Sequence, residues 1–275
     1  MEQSKLQMLK TAANNIRIGV IEGTHAAKCG HPGGSLSIAD IMAYLYFVEM
    51  NVDPANPKME DRDRFVLSKG HCAPALYATL AEKGFFPKEE LLTLRKLGSR
   101  LQGHPDMTLT PGVDISSGSL GLGISSAAGM ALAAKLDQKD WRVYTVIGDG
   151  ESEEGQVWEA CMFASHYKLD NLCVIVDWNG LQIDGPITEV MNPTPHDKKL
   201  EAFGFNVITA NAHDFDDIEA AFAKARACKG KPSAIIFSSV KGKGVSFMEN
   251  QASWHGAAPN DEQYAQAVAE IKASM

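Results

Sequence analysis

Hydrophobic residues along this chain form two patterns that alternate. Short runs rich in β-branched and aromatic residues are typical of buried strands, and they stand at residues 65–67, 143–147, 172–177, 206–211 and 233–240. Apolar residues recur at helical spacing near the chain end and at residues 4–28, 37–50, 125–136, 151–167 and 214–227. Strands that alternate with helices predict an α/β fold, in which helices flank a parallel sheet. We expect a single domain over residues 1–275.

Two of the predicted helices begin with polar residues that suit a helix start. Ser37 precedes the apolar run that ends at residue 50, and its hydroxyl is predicted to cap that helix. Acidic residues crowd the first turn of the helix predicted at residues 151–167, where they would complement the helix dipole.

The stretch from residue 143 to residue 179 carries the first sign of chemistry. A tight GDG turn, with Asp149 between two glycines, follows one predicted strand, and Asn179 follows the next. The carboxyl ends of parallel strands meet at one edge of a sheet, where ligands bind. A carboxylate, an amide oxygen and a backbone carbonyl would suit a hard cation such as Mg²⁺, and Gly150 would leave room for a diphosphate. Alternatively, GDG is only a turn and Asn179 only a loop residue.

Composition narrows the classes of function. With 26 Lys and Arg against 34 Asp and Glu, the formal charge is −8, which argues against a nucleic-acid surface. No apolar run approaches the ~20 residues of a membrane span, and we expect no signal-peptide core at the N-terminus. The five cysteines form no CxxC pair, so we interpret them as reduced thiols of a cytoplasmic protein without a zinc site.

The GDG turn and the asparagine thirty residues after Asp149 resemble the thiamine-diphosphate (ThDP) motif, and GDGESEEGQVWEA is similar to its transketolase version. The resemblance implies a ThDP-binding (PP-type) domain that uses Mg²⁺, for which Ca²⁺ or Mn²⁺ could substitute. It implies that Asp149, Asn179 and the carbonyl of Leu181 bind the metal. Asn179 and Gly150 would also contact the cofactor, and Glu154 would join a carboxylate network that links two active sites of a dimer.

Four of the eight histidines match the transketolase pattern. His31 stands in GHPG and His71 in SKGH, while His104 stands in GHPD and His255 in a histidine–glycine–alanine segment. By resemblance, His31 and His255 manage protons on sugar hydroxyls. His71 and His104 orient the ketol group, and His71 and His255 also contact the cofactor. The other four histidines match nothing and are interpreted as ordinary polar residues: His25, His166, His196 and His213.

Two further segments complete the predicted cofactor site. GSLGLG matches the family's Gly-Pro-Leu-Gly segment with Ser119 in place of proline, and the resemblance places Gly118 and Leu120 along the cofactor. Ile183 joins the predicted cofactor contacts. In KGKG, Lys241 departs from the family's usual Ile-Gly-X-Gly. Its ammonium is expected to reach the diphosphate or a substrate phosphate, and the alternative is a solvated lysine.

The resemblance covers nearly the whole chain but only the first part of a full-length transketolase. The family's pyrimidine-binding and C-terminal domains, with the glutamate that activates the cofactor, are therefore expected on a separate chain. We interpret residues 1–275 as the N-terminal subunit of a split transketolase, which transfers a two-carbon ketol unit from a ketose phosphate to an aldose acceptor. The family's dimers predict a heterotetramer with two copies of each chain, acting in the pentose phosphate pathway.

Three alternatives stay open from the sequence alone. The α subunit of a 2-oxoacid dehydrogenase explains the GDG turn and the asparagine, but not the GHPG and GHPD histidines. A 1-deoxyxylulose-5-phosphate synthase is similar at KGKG but normally carries all its domains in one chain. A non-catalytic regulatory homologue has no use for the four matching histidines. Xylulose 5-phosphate is the default donor, and a sulfonated or branched sugar is compatible with the same residues.

Overall fold

The computed structural model describes all 275 residues. A five-stranded sheet in the order β1-β2-β3-β7-β6 forms its centre, and every neighbouring pair is parallel. A separate two-stranded hairpin, β4–β5, follows β3. The strands are β1 (Arg64–Leu67), β2 (Val143–Gly148), β3 (Leu172–Trp178), β4 (Leu181–Gln182), β5 (Gly185–Pro186), β6 (Asn206–Asn211) and β7 (Ser233–Ser238). The predicted parallel α/β fold is confirmed.

Helices cover both faces of the sheet. They are α1 (Gln3–Ala27), α2 (Pro32–Leu36), α3 (Ala39–Tyr44), α4 (Ala73–Lys83), α5 (Leu122–Leu136), α6 (Gly155–His166), α7 (Ile187–Val190), α8 (His196–Ala202), α9 (Phe215–Ala227) and α10 (Asp261–Ala273). None of them combines the length and the apolar character that a membrane crossing requires.

The central strands are buried on both faces. In β2, Tyr144 and Val146 pack into a cluster of 48 buried hydrophobic residues, to which α1, α3, α4 and α9 also contribute. Val143 and Ile147 point the other way, into a cluster of 19 residues shared with α5 and α6. Successive residues of a strand face opposite sides, so a strand covered twice reads as a continuous apolar run. This is why the strands were visible in the sequence.

The carboxyl ends of β1, β2, β3 and β7 lie at one edge of the sheet. The register pairs Leu67 with Val146, Gly148 with Asp177, and Asp177 with Phe237. The loops that leave these strands therefore start side by side, although they are far apart in the sequence. They carry the SKGH, GDG, WNG and KGKG segments.

The helix predicted at residues 37–50 is interrupted. The short helix α2 precedes it, and a π-helical turn follows α3. The prediction that Ser37 caps this helix is wrong, because its hydroxyl makes tertiary contacts instead. Ser37 Oγ donates to Asp177 Oδ2 at 2.7 Å and lies 3.0 Å from the Gly34 carbonyl. The serine thereby joins the GHPG loop to β3.

The helix predicted directly after the GDG turn begins later than expected. A 3₁₀ turn covers Gly150–Glu153, and α6 has no acid in its first turn. Glu151 is the reason, because its buried carboxylate turns inward. It accepts hydrogen bonds from Ser68 Oγ at 2.5 Å and from the amides of Gly121 and Gly148 at 2.9 and 3.0 Å. Glu151 therefore joins neighbouring loops instead of complementing a helix dipole.

Candidate active site

A cleft of about 300 Å³ opens at the carboxyl edge of the sheet. Eleven of the thirteen predicted site residues line it: His31, His71, Gly118, Leu120, Asp149, Gly150, Asn179, Leu181, Ile183, Lys241 and His255. Five further residues complete its wall: Gly34, Lys69, Gly148, Glu151 and Gln182. Two predicted residues, His104 and Glu154, lie outside it.

Asp149 lies on the floor of the cleft and is only 2% exposed. Its Oδ1 accepts from Gly150 N at 2.8 Å, and its Oδ2 accepts from Gly180 N at 2.6 Å. Burial, together with the charge of Asp177, raises the pKa of this carboxyl to about 6. A buried carboxylate that bonds only backbone amides is well suited to a bound cation.

The loop after β3 supplies the other oxygens near Asp149. Asn179 Nδ2 donates to Asp177 Oδ2 at 2.9 Å, and its Oδ1 accepts from Leu181 N at 3.1 Å. The chain has no cluster of three or more His, Cys, Asp or Glu side chains that could hold a metal. A metal at Asp149 would therefore rely on amide and carbonyl oxygens, which are ligands that Mg²⁺ accepts.

Lys241 enters the same floor from the loop after β7. Its side chain is almost fully buried at 2% exposure, so the alternative of a solvated lysine is wrong. The ammonium donates to the Leu181 carbonyl at 3.0 Å. Burial lowers the pKa of Lys241, and the nearby ammonium of Lys69 lowers it further. The carbonyl predicted to bind a metal thus already faces a cation.

Three of the predicted histidines converge in the cleft. The ring centroids of His31 and His71 lie 5.2 Å apart, those of His31 and His255 5.5 Å, and those of His71 and His255 5.0 Å. Burial is the main cause that lowers the pKa of His31 to about 4 and that of His255 to about 3. Neighbouring cations, Lys241 among them, add to it. Neutral imidazoles can accept protons or hydrogen bonds from hydroxyl groups.

His104 and Glu154 flank this cleft without lining it. His104 is exposed and borders a neighbouring recess, with Gly118 between the two: a Cβ on Gly118 would lie 3.1 Å from His104 Cγ. Tyr77 fixes the backbone there, because its hydroxyl donates to the His104 carbonyl at 3.0 Å. Glu154 is exposed at the start of α6, against Gly121.

Residues 8–273 match the protein family described as transketolase, thiamine diphosphate binding domain. The chain belongs to the transketolase family. It is 47% identical over 264 residues to the 6-deoxy-6-sulfo-D-fructose transketolase subunit SqwG of Clostridium sp. (strain MSTE9), and the match covers 96% of both chains. It is 43% identical to a subunit of apulose-4-phosphate transketolase from Phocaeicola vulgatus, and this match covers 97% of the present chain and 95% of the other.

Longer transketolases are similar to this chain over the part of their length that it covers. Human transketolase is 46% identical over 93% of this chain, which spans 40% of that protein. The crystal structure of transketolase from Campylobacter jejuni superposes with a TM-score of 0.91 at 35% identity, over 97% of this chain and 43% of that one. The transketolase resemblance of the sequence is thereby confirmed. The same matches favour this family over a 2-oxoacid dehydrogenase.

The cleft of this transketolase domain fits ThDP. Lys69 and Lys241 place two buried ammonium groups beside it, which suits a diphosphate. Nδ1 of His31 and Nδ1 of His255 are buried without a hydrogen-bond partner, and both residues line the cleft. A Cβ on Gly150 would lie 3.1 Å from Gln182 Cβ and would narrow the floor.

The sequence pattern did not reveal the polar residues beneath the cleft. Lys69 donates to Asp177 Oδ2 at 2.6 Å and to the Gly34 carbonyl at 2.8 Å. One signal was present, because a lysine inside SKGH and an acid at the end of an apolar strand are both unusual in a buried place. His196 was also misjudged: it is 3% exposed, and its Nε2 lies 2.8 Å from Ser152 Oγ.

Proposed function

We propose that this chain is the cofactor- and metal-binding subunit of a two-chain transketolase, which transfers a two-carbon ketol unit between sugars. The observation that carries the proposal is the convergence of three neutral histidines on the same cleft that holds Asp149 and Lys241. Asp149 and Lys241 suit a metal and a diphosphate, and the histidines suit the hydroxyl groups of a sugar. A regulatory homologue without chemistry has no need of both.

At the metal end, Asp149, Asn179 and the Leu181 carbonyl would hold Mg²⁺, or Ca²⁺ or Mn²⁺ in its place. Lys241 would turn its ammonium to the diphosphate, and the bare backbone of Gly150 would allow close approach. The remaining contacts would come from Gly118, Leu120 and Ile183, with His71 and His255 near the reacting end of the cofactor.

When bound, ThDP supplies the electron sink for breaking the carbon–carbon bond beside the donor carbonyl. His31 and His255 have pKa values lowered to about 4 and 3, so both are unprotonated near neutrality and able to accept hydroxyl protons. Burial also lowers the pKa of His71, which would hold the ketol hydroxyl by a hydrogen bond. His104, on the rim beside Gly118, would meet the sugar once a partner chain has closed over the cleft.

A partner chain is proposed because relatives that match this chain from end to end are named as subunits. The chain spans only about two fifths of human transketolase, and the rest would come from the partner, including the pyrimidine-binding domain and the activating glutamate. Leu120, at 39% exposure, and Ile183, at 63%, leave apolar surface at the cleft mouth for it to cover. We propose two copies of each chain, with Glu154 near the contact between sites.

The substrates are proposed as ketose and aldose sugars with an anionic end. Xylulose 5-phosphate of the pentose phosphate pathway is the default donor. The names of two relatives point to a sulfonated fructose and to apulose 4-phosphate as further candidates. Five cysteines without a disulfide support a place of action in the reducing cytoplasm.

The decisive experiment measures ketol transfer to ribose 5-phosphate with ThDP and Mg²⁺, first with this chain alone and then with its partner chain. The three donors named above are compared. Transfer only in the mixture is expected, and transfer by the isolated chain would contradict the two-chain proposal. A complex that binds ThDP but transfers from no donor would show that the substrate class is wrong.

Paired variants test the site within that assay. His255→Asn should abolish transfer, because the imidazole faces the cleft. His25→Asn is the matched control, since His25 stacks on Tyr264 at 4.3 Å, away from the cleft, and should keep wild-type activity.

A further inference from the structure

The loop that carries Lys241 is tied down on both sides of the lysine. Ser239 N donates to the end of β3 at 3.0 Å, and Gly242 N donates to the GHPG loop at 2.9 Å. Between these two ties, the amide of Val240 donates to Nε2 of His213 at 3.0 Å. The residue next to Lys241 is therefore placed by an imidazole, although the sequence pattern assigned no role to that histidine.

His213 stands in the turn between β6 and α9, and its other nitrogen is also engaged. Nδ1 lies 2.8 Å from Asp40 Oδ2, and Arg17 Nη2 lies 2.5 Å from the same oxygen. Arg17 then returns to the loop, where its Nε donates to the Lys243 carbonyl at 3.2 Å. The side chains of His213, Asp40 and Arg17 are 13%, 9% and 7% exposed. They connect α1 and α3 to the loop on either side of Lys241.

The hydrogen-bond partners determine the tautomer of His213. A backbone amide can only donate, so Nε2 presents its lone pair to Val240 and the proton sits on Nδ1, facing Asp40. Burial opposes the ionisation of Asp40, but the Arg17 guanidinium and the hydrogen bonds from His213 and Arg17 together outweigh it and lower the pKa of the carboxyl to about 2. A charged Asp40 thus keeps the acceptor nitrogen of the ring turned to the loop.

We infer that His213 is a positioning residue, which holds Val240 so that the ammonium of Lys241 points into the cleft. That ammonium lies 3.0 Å from the Leu181 carbonyl. The side chain of Lys241 packs closely against Gly33, where a Cβ would lie 3.2 Å from the lysine Cγ. The lysine therefore has little room to adjust. The inference rests on the proposed function only for what Lys241 contacts in the cleft.

Two substitutions of His213 separate its two hydrogen bonds. In His213→Asn, the amide nitrogen takes the place of Nδ1 and still donates to Asp40, but the side chain is too short to reach Val240. In His213→Gln, the longer side chain brings its amide oxygen to the place of Nε2, where it accepts from Val240. Both new side chains are neutral amides, so the pair is matched in charge and chemistry.

Two measurements on this chain report the result. Amide hydrogen exchange follows the Val240 N–H, and its protection should fall at least about tenfold in His213→Asn while staying close to wild type in His213→Gln. Titration with ThDP and Mg²⁺ measures cofactor binding in the cleft. The Kd should rise about tenfold in His213→Asn, which corresponds to losing one hydrogen bond to a charged group, and should change little in His213→Gln. Equal behaviour of the two variants would overturn the inference.

Lys241→Met separates this inference from the proposed function. If His213 acts through Lys241, His213→Asn weakens ThDP binding in the wild-type background but not in Lys241→Met. A loss of the same size in both backgrounds overturns the inference. If Lys241→Met binds ThDP like the wild type, the proposed diphosphate contact is wrong. Exchange at Val240 in the two His213 variants then still decides whether the imidazole holds the loop.

Discussion

Lys69 and Asp177 form an ion pair beneath the cleft, with Nζ 2.6 Å from Oδ2 and both side chains at most 2% exposed. Burial opposes the charge of Lys69, but the charge and hydrogen bond of Asp177, with smaller contributions from neighbouring groups, outweigh it and raise the pKa of the ammonium. The lysine also donates to the Gly34 carbonyl, and Asp177 accepts from Ser37 and Asn179. One buried pair therefore sets the relative positions of the GHPG, SKGH and WNG loops.

Breaking this pair should destabilise the chain strongly. Lys69→Met or Asp177→Asn leaves the other group buried without its partner, and we expect each to lower the free energy of unfolding by about 3 to 5 kcal/mol. Urea denaturation of the single variants and of the double variant checks this, because the double loss should be smaller than the sum. Lys198→Met is the control, since its exposed pair with Glu201 should matter little. Additive losses would argue against a coupled pair.

Removing the carboxylate at the cleft floor should remove metal-dependent cofactor binding. We expect Asp149→Ala to raise the Kd for ThDP in Mg²⁺ at least about a hundredfold and to make the residual binding insensitive to Mg²⁺. Asp184→Ala removes the same charge from the exposed tip of the β4–β5 hairpin and should bind as the wild type does. Calorimetric titration with and without chelator measures both. Equal weakening by the two variants would mean that only overall charge matters.

Acid should destabilise the chain through its half-buried imidazoles. His31 and His255 have folded-state pKa values of about 4 and about 3, against an ordinary value of 6.5. Between these folded-state pKa values and pH 6.5, the unfolded chain binds more protons than the folded chain. The free energy of unfolding is therefore undiminished by these groups above pH 6.5 and decreases as the pH falls to 4 and 3. We expect the free energy of unfolding to fall by on the order of 2 kcal/mol for this half-buried pair, after allowing for solvent screening. NMR titration midpoints near 6.5 would contradict it.

The loop of Lys241 should not tolerate a side chain at Gly242. This glycine has φ +79°, and a Cβ there would overlap the Met248 carbonyl oxygen. Gly230 has a similar φ of +77° with open space around it. Gly230→Ala should therefore cost only the backbone term of about 1 to 2 kcal/mol, and Gly242→Ala clearly more, with weaker ThDP binding as well. Similar free energies of unfolding for the two variants would show that the loop of Lys241 shifts to accommodate the added methyl group.

The apolar runs and the GDG turn were enough to predict the sheet and the floor of the site. Strands buried on both faces read as apolar runs, and parallel strands end at one edge, so Asp149 and Asn179 were predicted to meet there. The histidines were found by resemblance, and three of them do converge. Glu151 shows the limit of local patterns: it reads as an acid in a first helical turn, yet it turns inward to two backbone amides.

Which polar residues support the site depends on contacts that exist only in the folded chain. Lys69 and Asp177 are 108 residues apart, and His213 and Asp40 are 173 apart. No periodicity links such pairs, because the energy of a buried charge depends on partners that folding brings near it. The same is true of Lys241. The sequence allowed either a buried or a solvated lysine at this position, and the side chain is buried because its loop packs against the GHPG turn.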